Sequence, residues 1–399
     1  MAVRRFSPIS IVIGLSFGPA VAQGMARFAY ALLLPAMQAD LTLSYARAGA
    51  LNTSNAIGYF LGAVASAHLM RTIGVVRIFG LSMVLTAIFL ILSGCTGDYN
   101  LLFALRLLAG TSSAITFIAG GAIATALTGR DPARTGLILG IYYGGAGLGI
   151  LASGALIPVW LSTHPPSAWR DAWIALGILS LLASVATILV AARAEYKTAP
   201  SSVRAKPRLQ LLKPALVAHF LFAFGYIGYM TFIIAYLRGF ERSVYEVVSF
   251  WMILGGAVIV GAFVWGRFIS VSRNGAALST ILLFVAVGSF VPLISTDFAY
   301  LGASAILFGL GFLSEIAAIT ALIRVFLAPP EWPEAIAVSV TVFSVGQSIG
   351  PVATGWLSDR YGSLAVALGI SAGVVFVGAI IARMQRPHAQ HATLVTPSA

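Results

Sequence analysis

Charge is scarce in this chain, and some kinds are nearly missing. Its 399 residues hold 12 Asp and Glu, 24 Lys and Arg, and only three lysines, Lys197, Lys206 and Lys213. Charged residues make up 9% against 59% hydrophobic, where a soluble domain carries roughly 25% charged. A soluble fold could not hide that much apolar surface. Cys95 is the single cysteine, so an intramolecular disulfide and a cysteine-based metal cluster are both excluded. The redox compartment stays open. No Gly-Lys-Ser/Thr occurs, which removes a phosphate-binding loop for ATP hydrolysis and leaves a gradient or a partner subunit as the energy source. The formal charge of +12 does not point to nucleic acid, because the cations sit between apolar runs instead of forming one patch with interleaved aromatics.

What is present is a series of long apolar runs. A hydrocarbon core of about 30 Å takes roughly 20 helical residues to cross. Only helices and closed barrels satisfy their backbone groups in lipid, and these runs are continuous rather than alternating, so they read as helices. Twelve spans are expected, at Ile9 to Met37, Tyr45 to Leu69, Ile73 to Leu92, Leu101 to Leu127, Thr135 to Leu161, Ala172 to Ala191, Ala215 to Leu237, Val244 to Trp265, Ala276 to Ile294, Tyr300 to Leu327, Ala335 to Trp356 and Leu364 to Ala382. The start resembles a signal peptide, but its apolar run continues through Leu34, so it reads as the first span. The organisation expected is a six-helix lobe over 1–191, a cytoplasmic linker over 192–214, a second six-helix lobe over 215–384 and a cytoplasmic tail over 385–399.

Orientation follows from the excess of Lys and Arg in cytoplasmic segments. With both termini inside, seventeen cations fall on the inner side and five outside, Arg47, Arg170, Arg238, Arg242 and Arg360. Every tryptophan except Trp251 lies near a span end, where amphipathic rings prefer to sit. The expected location is a bacterial inner membrane, multi-pass, with the lipid bilayer as surroundings. The two halves also resemble copies of each other under a shift of 201 residues, which superposes seven glycine pairs, among them Gly145 with Gly346, Gly149 with Gly350 and Gly154 with Gly355. Random placement would superpose about two. Glycines at these positions read as close helix packing contacts.

Twelve spans, a parallel repeat and a basic central segment together resemble the major facilitator superfamily. Arg106-Leu107-Leu108-Ala109-Gly110 is similar to its Arg-x-x-x-Gly signature. Gly24-Met25-Ala26-Arg27-Phe28-Ala29-Tyr30 with Leu34-Pro35, and Gly346-Gln347-Ser348-Ile349-Gly350-Pro351, resemble its YbfB/YjiJ-type branch. The resemblance implies an all-α membrane fold of two pseudo-symmetric six-helix lobes, with spans one, four, seven and ten lining a central cavity. One departure stands out. The superfamily's Gly-x-Leu-x-Asp-Arg-x-Gly loop belongs between spans two and three, where His68 to Arg77 holds no acid; Gly355-Trp356-Leu357-Ser358-Asp359-Arg360-Tyr361-Gly362 fits it instead, outside, between spans eleven and twelve.

Patterns suggesting catalysis fail on context. Gly14-Leu15-Ser16-Phe17-Gly18 and Gly346-Gln347-Ser348-Ile349-Gly350 match a nucleophile elbow but lie inside apolar helices. Gly147-Leu148-Gly149-Ile150-Leu151-Ala152 lacks the strand a dinucleotide turn needs. The chain therefore does not read as an enzyme, and no cofactor or metal is expected.

Three ionisable residues fall at membrane depth, Arg27, Arg106 and Glu315. Such groups face a cavity or a partner, and the resemblance gathers all three at one site. Gln23, Arg27 and Tyr30 follow i, i+4, i+7 on span one, Asn52, Asn55 and Tyr59 repeat the pattern on span two, and Tyr226 and Tyr229 lie one turn apart on span seven. The bland alternative is that Arg106 and Glu315 form structural ion pairs or bond backbone carbonyls; His68 and His219 read as solvated or hydrogen-bonded imidazoles. The function expected is secondary transport of a small solute, an organic anion or amphipathic metabolite, by a monomer, with Arg27, Arg106, Gln23, Tyr30, Asn52, Asn55, Tyr226, Tyr229 and Gln347 binding it and Glu315 carrying a coupling proton. Efflux by proton antiport is the nearest alternative. A membrane-embedded enzyme and a solute sensor are the alternatives of other classes.

Overall fold

A computed structural model describes residues 7–128, 132–192 and 205–387, the side chains of 132–134 excepted. Most of the expected linker, the end of the tail, and Arg4, Arg5, Arg130 and Arg134 lie outside the described residues or side chains. The described chain is helical, in twelve long elements: α1 Pro8–Leu41, α2 Tyr45–Thr72, α3 Val75–Gly94, α4 Tyr99–Ala126, α5 Pro132–Thr163, α6 Trp169–Ala191, α7 Lys213–Arg238, α8 Val244–Val264, α9 Ala276–Ile294, α10 Phe298–Phe326, α11 Trp332–Tyr361 and α12 Leu364–Arg383. All but α2 are long and apolar enough to cross a membrane. α2 is diluted by Asn52, Thr53, Ser54 and Asn55, and each of these finds a partner inside the bundle, on Thr231, Ser348, Phe103 and Arg106 respectively. With these partners inside the bundle, the four side chains need none from lipid. Apolar side chains such as Val64, Leu182, Leu189 and Ile294 cover the outside, each 63% exposed, which suits lipid and would be costly in water.

The two lobes repeat one packing scheme. In the first, α1 packs on α5, α2 on α4 and α3 on α6; in the second, α7 packs on α11, α8 on α10 and α9 on α12. Across the seam α2 meets α11 and α5 meets α8. The paired glycines make this possible. A Cβ on Gly149 would come within 2.1 Å of the Ala20 carbonyl oxygen in α1, and one on Gly350 within 2.3 Å of the Phe224 carbonyl oxygen in α7. The third glycine of each block faces the other lobe: Gly154 meets Trp251 of α8, and Gly355 meets Tyr45 of α2. Trp251, the tryptophan away from span ends, serves this seam, its Nε1 donating to Ser153 Oγ at 3.3 Å.

Two helices depart from regular geometry. In α1, Pro19 offers no N–H, and the chain beyond it, Ala20–Phe28, winds as a π-helix. In α10, the Leu310 carbonyl accepts from Trp265 Nε1 at 2.8 Å and from Ser314 Oγ at 3.1 Å. Both compete for the acceptor the next turn would use, and the helix is interrupted at Leu313, immediately before Ser314 and Glu315.

Candidate substrate site

The π-helical stretch of α1 carries the centre of the site to the seam between lobes. Such wide turns are rare and concentrate at functional sites. Arg27, 4% exposed, reaches into the other lobe: its Nη2 donates to Tyr226 Oη at 3.1 Å and to Gln347 Oε1. Its guanidinium also lies 5.1 Å from the Tyr59 ring centre and 5.6 Å from that of Phe28, within cation–π range. Gln23 Nε2 donates to Tyr59 Oη at 3.1 Å. Gln23 Oε1 and Gln347 Nε2 are buried without a protein partner, so an acceptor and a donor remain unused beside the guanidinium.

Gln23, Arg27, Phe28 and Tyr59 cap a cavity of about 140 Å³, and Gln347 stands behind Arg27 without lining it. The cavity runs from Gln23, Arg27 and Phe28 past Tyr59, Phe117, His219, Tyr226, Phe312 and Phe343 to Ile323 and Ile336. The residues below Arg27 come from the halves of α2, α4, α7, α10 and α11 nearer the chain termini, so the cavity lies on the terminus side of the bundle. Among the described residues lining it, Arg27 alone is a fixed charge and His219 is the only other ionisable group besides the tyrosines.

The opposite end is shut. Asn52 Nδ2 donates to Thr231 Oγ1 at 2.6 Å across the seam. The Tyr45 ring packs edge-on against Phe232, with ring centres 5.9 Å apart. The first two backbone N–H groups of α2, at Tyr45 and Ala46, donate to the two carboxylate oxygens of Asp359 at 3.0 and 2.8 Å. Asp359 belongs to the last turn of α11, which runs five residues beyond the expected end at Trp356. The Asp-Arg-x-Gly segment is thus helical up to Tyr361 rather than a loop, and its acid closes the far end of the seam.

Of the residues expected to bind substrate, the structure brings Gln23, Arg27, Tyr226 and Gln347 together and places the others apart. Arg106 is 1% exposed and lies in the wall of the first lobe, its Nη1 donating to the Ala26 carbonyl at 2.6 Å and its guanidinium 5.1 Å from both the Tyr30 and Trp173 ring centres. Tyr30 donates to the Ala48 carbonyl at 2.7 Å, and Asn55 Nδ2 to the Arg106 carbonyl at 3.0 Å. Asn52 serves the far closure. Tyr229 Oη pairs with Ser304 Oγ at 2.6 Å and its ring lies against Phe308.

Glu315 does not meet Arg106. Its partner is His219, with Nδ1···Oε1 at 2.7 Å and both side chains buried. His219 faces the cavity while Glu315 sits behind it, and Glu315 Oε2 has no protein partner. Phe343 lies over the imidazole with ring centres 5.2 Å apart and continues to Tyr226 at 5.8 Å. A continuous line of contacts therefore runs from Arg27 through Tyr226 and Phe343 to the His219–Glu315 pair. His219 is a hydrogen-bonded imidazole, one of the two readings the sequence allows, but the sequence does not single out Glu315 as its partner; the signal for the pairing is that one lobe holds a base and an acid, each inside a span.

Comparison with known proteins agrees with this architecture. The family described as the uncharacterised MFS-type transporter YbfB matches residues 19–383. None of the curated proteins matches. Among solved structures, the human organic anion transporter MFSD10 (TETRAN) is similar at a TM-score of 0.66 and 14% identity, over 94% of this chain and 100% of that one. A bacterial homologue of the human lysosomal transporter Spinster is similar in its inward-facing occupied form, with TM-score 0.68, 15% identity and coverage of 94% and 96%. Its inward-facing unoccupied form gives 0.68, 14%, 96% and 99%. At such identities the likeness is one of fold.

Proposed function

We propose that this chain, which belongs to the family of YbfB-type major facilitator transporters, carries a small organic anion across the bacterial cytoplasmic membrane by alternating access, with protons as the coupling ion. The observation that carries the reading is Arg27. A cation buried at the seam costs free energy unless something compensates it, and here it is held by neutral groups of the opposite lobe, Tyr226 and Gln347. An anion entering the cavity competes for those N–H groups. Binding would loosen a contact between the lobes, which is how a substrate changes the balance of two states. If the termini are cytoplasmic, a seam closed at the far end by Asn52–Thr231 and Asp359 with the cavity on the terminus side supports reading the structure as the inward-facing arm of a rocking cycle around a midplane site.

His219 and Glu315 supply the proton site. His219 takes a proton from cavity water at Nε2 and passes one from Nδ1 to Glu315 Oε1, so the pair loads and unloads without Glu315 meeting solvent. Anion on Arg27 and proton on the pair leave a site whose charges cancel, and a neutral site crosses a low-dielectric seam at least cost. Arg106 takes a structural part, fixing α1 against α4 and α6.

The test begins with a thermal-stability screen of purified protein against metabolites, since any ligand of the folded state raises apparent stability. With a ligand in hand, transport is measured in proteoliposomes. Arg27→Gln should lose binding. Glu315→Gln should abolish accumulation driven by a pH gradient while exchange without a gradient continues. Undiminished accumulation by Glu315→Gln would remove the pair from the coupling; binding of cations in preference to anions would remove Arg27 from the site.

A further inference from the structure

Two opposite charges share the Arg27 cavity, one from each lobe, and their balance restricts how the carrier can be loaded. Arg27 enters from α1 and His219 from α7, and both line the same space. An arginine keeps its charge. Behind His219, Glu315 holds the opposite charge, with Nδ1···Oε1 at 2.7 Å. Among the described residues, the other ionisable groups lining the cavity are the phenols of Tyr59 and Tyr226, which are neutral near pH 7. Of the helices packed on the half of α10 that holds Glu315, α9 carries no ionisable residue and α11 none between Glu334 and Asp359. Arg208, Arg267 and Arg324, on or next to the remaining elements of that neighbourhood, are exposed on the terminus side. Arg106 keeps Ala26, Tyr30 and Trp173 of its own lobe around it, so its surroundings move with it.

The loading states differ in net charge. In the empty cavity, Arg27 and the Glu315 carboxylate cancel. A proton that enters at His219 Nε2 sends the Nδ1 proton to Glu315 Oε1 and leaves a neutral imidazole beside a neutral acid. Proton alone therefore leaves Arg27 unbalanced, and a monovalent anion alone leaves the carboxylate unbalanced. With both aboard the cavity is neutral again. Because the charges come from opposite lobes, closing the seam strips water from both at once, and a buried unbalanced charge is strongly unfavourable. Only the empty and the doubly loaded cavity close at low cost. A divalent anion would need a second proton, and the described lining offers no second acceptor for it.

From this balance we infer that the carrier is an electroneutral symporter that moves one monovalent anion together with one proton, and not an antiporter. This rests on the reading of the site as a proton-coupled anion carrier and deepens it. The probes are butyrate, butanesulfonate and butanedisulfonate, whose apolar chains suit Ile316, Ile319, Ile323 and Ile336. Calorimetric binding to purified protein in detergent, repeated in buffers of different ionisation enthalpy and across pH, reads the protons exchanged. Uptake should rise to about one proton per monovalent anion bound, and Glu315→Gln should bind the anion with no uptake. Butanedisulfonate should bind at least about tenfold more weakly than butanesulfonate. Transport in proteoliposomes uses butanesulfonate, which does not cross the bilayer as a neutral acid. An acid exterior of about one pH unit should concentrate it about tenfold, and a membrane potential alone should not, because a potential acts only on steps that carry net charge. Proton release on binding, accumulation driven by an alkaline exterior or by potential alone, or disulfonate binding as tight as monosulfonate would overturn the symport and leave an anion carrier standing. Binding of none of the three probes would overturn the anion carrier itself.

Discussion

Asp359→Ala should shift the protein toward the state open at the far end. Tyr45 and Ala46 begin α2, so their N–H groups have no acceptor within the helix, and Asp359 of the other lobe accepts from both. Opening the far end carries the carboxylate away from that helix start. The carboxylate is exposed, so water takes over both partners and the contact is worth less than a buried one. Comparable losses of a capping side chain cost about 0.5–2 kcal/mol. A central value of about 1 kcal/mol corresponds to a roughly fivefold change in the ratio of the two states. Asp359→Asn keeps one acceptor and loses the charge that favours a helix N-terminus, so its shift should be smaller and in the same direction. The measurement is the distance between spin labels on Thr163→Cys and Phe240→Cys, exposed positions of the two lobes at the far end, in a Cys95→Ser background. The longer-distance population should rise about fivefold in Asp359→Ala relative to the parent. An unchanged distribution, or one moved toward shorter distances, would refute the reasoning.

Other outcomes follow from the same geometry. Gly149→Leu and Gly350→Leu should each lower yield or thermal stability before altering ligand preference, because a Cβ alone already meets helix backbone at 2.1 and 2.3 Å; unchanged stability with altered preference would place these glycines on the binding surface. Topology reporters fused after Lys206 and Gln390 should both report the cytoplasm, and disagreement between them would break the even number of spans. On the terminus side, Arg208 bonds Glu331 through its backbone and guanidinium, holding that carboxyl down at about 2. A depressed folded value means the tether is complete above the ordinary value near 4.5 and is lost as pH falls toward about 2. Glu331→Gln mimics the acid form, so at neutral pH hydrogen exchange of the Arg208 amide should speed up relative to the parent.

Much of the architecture was legible because lipid imposes a length and a composition that no tertiary context changes. Twelve runs, a repeat offset of 201 residues and the glycine blocks of α5 and α11 were all readable, and the ends of α9 were met to the residue. The miss at α11 has a clear cause: Ser358-Asp359-Arg360 is polar enough to look like a loop, yet Ser358 is buried and Asp359 finds its acceptor role on α2. Polarity reported the wrong boundary because the partner lay in the other lobe.

The site was legible by residue type and not by address. Gln23, Arg27 and Tyr30 share a stripe on a helix of 3.6 residues per turn, but the π-helix that follows Pro19 adds a residue to the turn, and bonding from Ala29 to Gly24 rather than to Met25 rotates what comes after. Arg27 then faces the seam, while Tyr30 turns into the lobe toward Ala48 and Arg106. Likewise two arginines at similar depth were equivalent in sequence, and only the packing of Trp173 and Tyr30 around Arg106 separated the wall from the cavity. The sequence by itself determined that the chain spans a membrane, how often, and that few charges enter it, since burial of charge and backbone in lipid has one price everywhere. Which of those charges meets solute, and that His219 stands between Glu315 and the cavity, was decided by tertiary structure, because helix rotation and contact between the lobes follow from side chains hundreds of residues apart.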